Sequence, residues 1–256
     1  MILNAIEAGS GDPGLVLLHG LFGSARNFGA VQREFAKHRR TIALDLRNHG
    51  ASPHETDMRY ASMADDVLQT LTERSALPAV VLGHSMGGKA AMQLALRHPD
   101  AVTRLIVADI APVPNPPNLL PVAEAMMALP LSPHMTRAQA DEALAPAVPD
   151  VGMRAFLLQN LQLGATPGWR IGLTEIIGHF SDIEAWDAPA GVQYSGPTLV
   201  IAGAHSNYIK PEHRPIFRSL FPKARFVTLK NAGHWLHADN PSGFTGVVEA
   251  FLGGAR

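Results

Sequence analysis

The 256 residues suffice for one large α/β domain, or for a core domain carrying an insertion, and 46% hydrophobic content supports a substantial core. A net charge of −1, with no basic run beyond Arg39-Arg40, argues against a nucleic acid or anionic membrane held by bulk electrostatics. The chain has no cysteine, which excludes disulfides, Cys-ligated zinc and a thiol nucleophile.

The first 14 residues show neither the basic start nor the long apolar stretch of a secretory signal, and no segment approaches the length of a membrane span. A cytoplasmic chain without a membrane span is the expectation. The first apolar run, Leu15-Val16-Leu17-Leu18, ends at His19-Gly20. A second, residues 41–46, ends at Arg47-Asn48-His49-Gly50. Next, Ser62-Met63-Ala64-Asp65 has the form of a capping box ahead of Val67, Leu68 and Leu71 on one helix face. The third run, Ala79-Val80-Val81-Leu82, ends at Gly83-His84-Ser85-Met86-Gly87, and a helix over residues 89–98 follows until Pro99 stops it. Leu105-Ile106-Val107-Ala108 ends at Asp109.

Residues 112–196 read differently. They hold more than half of the 20 prolines and no strong strand pattern. Residues 119–129 have helical apolar spacing, Thr136-Arg137-Ala138-Gln139 has the form of a capping box, and residues 153–163 are amphipathic. The stretch is far longer than one crossover helix, which predicts a helical cap inserted between two strands. Strand-like runs resume at residues 198–202, ending at Gly203, and at residues 225–229, ending at Asn231-Ala232-Gly233-His234. Near-continuous apolar strands alternating with helices predict an α/β fold with a mainly parallel central sheet and flanking helices. The core domain is then residues 1–111 and 197–256, and the polar clusters gather beyond the carboxyl ends of the strands.

Strand, G-x-S-x-G, helix is the context of a nucleophile elbow, with Ser85 exposed on the sharp turn. A serine hydroxyl needs a base, and the base an orienting acid. In this architecture the chain order is Ser, acid, His. His234, straight after the last strand, is the candidate base, with Gly233 permitting a tight turn. His237 is a candidate pocket or helix-start residue. His234 and His237 are spaced like a metal pair, but no H-E-x-x-H context supports zinc, so neither a metal nor a cofactor is expected. Ser206 stands a few residues past Gly203, where such hydrolases commonly carry the acid. Asp109, at the end of the strand after the elbow helix, is the candidate acid, since a carboxylate at the end of a buried strand needs a partner. Asp182 is the runner-up. The oxyanion donors expected are the backbone N–H groups of Met86 and of Leu21, with Phe22 second. Arg47 either satisfies a turn or binds an anionic group near the pocket. Phe156, Trp169, Phe180 and Trp186 either line an apolar acyl pocket or form the core of the cap.

His19-Gly20, Gly83-His84-Ser85-Met86-Gly87-Gly88 and Gly233-His234 together resemble the α/β-hydrolase superfamily, from about residue 15 to residue 252. Asp45-Leu46-Arg47-Asn48-His49-Gly50, Ser85-Met86-Gly87-Gly88-Lys89-Ala90, Asp109-Ile110-Ala111-Pro112 and Asn231-Ala232-Gly233-His234-Trp235 resemble the small bacterial esterases and thioesterases related to the mitochondrial α/β-hydrolase-domain proteins. That resemblance implies the α/β-hydrolase fold with a helical cap, and cofactor-free cleavage of carboxylic esters or acyl thioesters through an acyl-enzyme. Within this branch a serine at position 206 is expected, with Asp109 as the acid beside it. The expected partner is a small-molecule ester or thioester. A cofactor-free lyase or C–C bond hydrolase on the same scaffold is the alternative.

Overall fold

The computed structural model describes residues 1–12, 14–116 and 119–253. Seven strands form one sheet: β1 (Ala5–Ala8), β2 (Leu15–Leu18), β3 (Thr41–Leu44), β4 (Ala79–His84), β5 (Val102–Ala108), β8 (Thr198–Gly203) and β9 (Ala224–Leu229). Their order is β1-β3-β2-β4-β5-β8-β9. Every pairing is parallel except that of the edge strand β1, which lies antiparallel to β3. The sequence signals only six runs, and β1 escapes because its residues Ala5-Ile6-Glu7-Ala8 are half exposed at an edge.

Strands β2, β3 and β4 are buried along their whole length, on both faces. In β2, Val16 and Leu18 join one core layer, while Leu15 and Leu17 join the other. Against these layers pack α1 (Gly29–Phe35), α2 (Tyr60–Glu73), α3 (Met86–Arg97), α9 (His213–Leu220), α10 (Leu236–Asp239) and α11 (Pro241–Gly253). Ser62 does not cap α2. The helix starts at Tyr60, and the Ser62 hydroxyl inside its first turn bonds the Asp57 carboxylate instead.

Between β5 and β8 lie α4 (Leu120–Met127), α5 (Arg137–Leu144), α6 (Val151–Leu158), the two-residue strands β6 (Leu161–Gln162) and β7 (Gly168–Trp169), α7 (Leu173–Gly178) and α8 (Phe180–Glu184). Thr136 and Gln139 make the reciprocal capping box at the start of α5. The amphipathic stretch 153–163 is helical only to Leu158, and its end turns into a small antiparallel hairpin with Gly168 and Trp169. Lys89 on α3, fully buried, donates from Nζ to the Ala185 carbonyl at 3.0 Å and lies over the Tyr60 ring at 5.3 Å, which ties the helix behind Ser85 to the end of the insert. Burial lowers its pKa to about 7.

The strand order reverses between β2 and β4, and a crevice opens at such a switch point beyond the carboxyl ends. Leu18 pairs with Gly83, His84 with Ala108, and Ala108 with Ile201. The residues that follow β2, β4, β5 and β8 therefore emerge side by side on one edge.

Candidate active site

Ser85 sits between β4 and α3 with φ 52° and ψ −120°, a conformation that costs a non-glycine residue on the order of 1–3 kcal/mol. The elbow fits only because Gly87 has no side chain. A Cβ there would lie 2.3 Å from the Leu18 carbonyl oxygen. Asp109, just past β5, is also left-handed at φ 51° and is fully buried. The loop after β9 passes directly over the end of β8, where a Cβ on Gly203 would meet the Gly233 carbonyl oxygen at 2.2 Å. This close approach places His234 above Asp109.

Ser85 Oγ lies 3.0 Å from His234 Nε2, and His234 Nδ1 lies 2.7 Å from Asp109 Oδ2. A carboxylate can only accept here, so Nδ1 carries the proton and Nε2 accepts from the Ser85 hydroxyl. Asp109 Oδ1 accepts from the Gly203 N–H at 2.9 Å, and Oδ2 also accepts from the Ser206 hydroxyl. Ser206, at the position where such hydrolases commonly carry the acid, thus bonds the carboxylate behind the histidine. Asp182 instead faces His179 at 3.3 Å within the insert. Of the two readings of Arg47, the structural one fits its contacts. The residue is buried, with Nε on Asp66 at 2.7 Å and Nη1 on the Asp57 carbonyl at 2.6 Å, and lines neither cavity at Ser85.

Two features escaped the sequence reading. The Tyr208 ring stacks on His234 at 3.9 Å and 16°. His84, the variable residue inside the elbow motif, donates from Nε2 to the His234 carbonyl at 2.7 Å. The nearness of Tyr208 to Ser206 in sequence was the available signal for the first.

The Phe22 N–H is taken by His49 Nε2 at 3.1 Å. Met86 is the first residue of α3, so its N–H has no intrahelical acceptor. Leu21 borders both cavities that meet at Ser85. The larger is walled by Leu119, Met153, Phe156, Trp235 and His237. The smaller lies toward Tyr60, Asn115, Phe180 and Glu184. Of the insert's aromatic residues, Phe156 and Phe180 line these spaces. Trp186 packs on Tyr60 instead, and Trp169 lines neither cavity. His237, the second residue of α10, is both a pocket-wall and a helix-start residue. Among the described residues, no three of His, Asp and Glu converge on a metal-sized point.

Burial pushes His19 down, His49 to about 3, His237 to about 4, and His84 well below its ordinary value, the last aided by the neighbouring His234 and His237. Stability from neutral burial is fully present above the unfolded value of 6.5 and is lost as pH falls toward the folded values. Each histidine adds about 1.4 kcal/mol per pH unit to the slope in this window. Urea unfolding across this range is expected to show a slope of more than one such histidine, which His237→Leu reduces by one proton. A pH-independent unfolding free energy there would contradict this burial.

The family model of the alpha/beta hydrolase fold matches residues 13–241. The sn-1-specific diacylglycerol lipase ABHD11 of Mus musculus is 40% identical, over 97% of this chain and 84% of its own. Esterase YbfF of Escherichia coli is 34% identical, over 93% of this chain and 92% of its own. Among solved structures, a marine microorganism esterase superimposes with a TM-score of 0.94 at 34% identity, over 98% of this chain and 99% of that one.

Proposed function

The chain belongs to the alpha/beta hydrolase fold family and is an ester-cleaving serine hydrolase, and from this premise we propose that Ser85, His234 and Asp109 form its catalytic triad. The observation that carries the proposal is the continuous relay from Ser85 Oγ to His234 at 3.0 Å and on to Asp109 at 2.7 Å. Ser85 Oγ attacks the acyl carbon as His234 Nε2 takes its proton. The backbone N–H groups of Leu21 and Met86 hold the oxyanion. His234 then returns the proton to the leaving group, and water, activated by the same base, releases the acid from the acyl-enzyme. Ser206 donates to the carboxylate that orients His234. Residues 112–196 act as a cap on the core formed by residues 1–111 and 197–256. Support comes from the insert residues Leu119, Met153 and Phe156 that wall the larger cleft. The same walls suit an apolar acyl chain, in keeping with relatives named lipase and esterase. No helix among the described residues is long and apolar enough to cross a membrane.

A chain-length series of nitrophenyl esters, run beside the matching acyl thioesters, tests this reading. kcat/KM is expected to rise about fourfold per methylene buried in the cleft, then to fall once the chain outgrows it. A burst of leaving group marks the acyl-enzyme. Turnover of a cyanohydrin or a β-diketone without any ester burst would replace the reading with a lyase or C–C hydrolase.

A further inference from the structure

Phe22 holds a left-handed φ of 62° inside a turn closed by the Gly23 N–H on the Gly20 carbonyl at 3.0 Å. A bulky aromatic residue keeps that conformation only where its surroundings over-determine it. Two buried side chains do so, one on each face of the residue. His49 donates from Nδ1 to the Arg47 carbonyl at 2.8 Å, which fixes the tautomer and leaves Nε2 as a bare acceptor for the Phe22 N–H at 3.1 Å. With the imidazole held down to about 3 by burial, this acceptor persists at every working pH. From the insert, Asn160 Nδ2 donates to the Phe22 carbonyl at 2.8 Å. The Phe22 N–H and carbonyl are thus both committed, while Leu21, the residue before it in this turn, borders both cavities at Ser85.

We propose that His49 and Asn160 are positioning residues: together they clamp Phe22 so that the Leu21 N–H points at the acyl oxygen in the transition state. Asn160 belongs to the insert, so seating the insert on the core completes the oxyanion site, and displacing it loosens that site. The inference rests on the role proposed above for the Leu21 N–H. It predicts that the clamp acts on transition-state binding and leaves ground-state binding alone.

The test compares wild type with His49→Leu, His49→Gln and Asn160→Leu for kcat, KM, thermal midpoint and affinity for a trifluoromethyl ketone, which forms a tetrahedral adduct on the serine. His49→Leu is expected to lower kcat and ketone affinity together by about 100-fold, and Asn160→Leu by about tenfold, with KM within about threefold. His49→Gln, whose Oε1 can accept from the Phe22 N–H, recovers most of the loss. Folded Leu variants that bind the ketone like wild type, or that lose only KM, would overturn the clamp. Should His49→Leu not fold, Asn160→Leu decides alone by the same criteria. A wild type that binds the trifluoromethyl ketone no better than the plain methyl ketone would instead overturn the Ser85 and oxyanion reading itself.

Discussion

Ser85→Ala is expected to lower kcat toward carboxylic esters by about six orders of magnitude, without lowering the thermal midpoint. The Ser85 oxygen lies within reach of His234 Nε2, at 3.0 Å. Alanine keeps the Cβ and accepts the same strained backbone, so the elbow and the helix behind it stay intact. What goes is the covalent route: with no Oγ there is no acyl-enzyme, and the oxyanion donors and cleft leave only slow direct attack by water. Burst kinetics with a nitrophenyl ester and labelling by a fluorophosphonate check this directly. Equal labelling of mutant and wild type would remove Ser85 from its role.

Asp109→Asn is expected to cost about four orders of magnitude in kcat. Asp109 is fully buried and accepts from His234, Gly203 and Ser206. An asparagine of the same shape turns its amide N–H toward Nδ1 and drives the proton to Nε2, the tautomer that cannot receive a proton from serine. The loss therefore appears in kcat, with the overall structure preserved. Ser206→Ala removes one donor to the carboxylate and is expected to cost far less, about tenfold. Asp182→Asn, remote from His234, is expected to leave kcat near normal. A near-normal rate in Asp109→Asn would move the acid elsewhere.

Much of this is legible in the sequence, because the signals are local. Apolar runs of four to six residues mark β2, β4 and β8, and G-x-S-x-G between one of them and a helix marks the elbow. The Thr136 cap is written in four consecutive residues. Local pattern also misled. Ser62 satisfied the form of a cap, but its hydroxyl bonds Asp57 and α2 starts two residues earlier. For Arg47, beside a strand end, local pattern left a turn and anion binding both open, and its guanidinium is committed to Asp66 and the Asp57 carbonyl. The edge strand β1 and the β6-β7 hairpin are too short or too exposed to leave a hydrophobic signature.

That a serine stands between strand and helix, that a histidine follows the last strand, and that the strands form a largely parallel sheet are all written in local sequence. Each follows from residue types a few positions apart. Which groups touch which depends on how the chain folds back on itself. Parallel register sets Ser85 beside Asp109, through His84 against Ala108, and Ala108 against Ile201 brings the loop carrying Ser206 to the same edge. The near-contact of Gly203 with Gly233 then swings His234 over the carboxylate. Ser206 consequently donates to Asp109, and His49 with Asn160 grips Phe22 across 27 and 138 residues of chain. Such distances between loop residues follow from strand register and close packing, which no short window of sequence encodes.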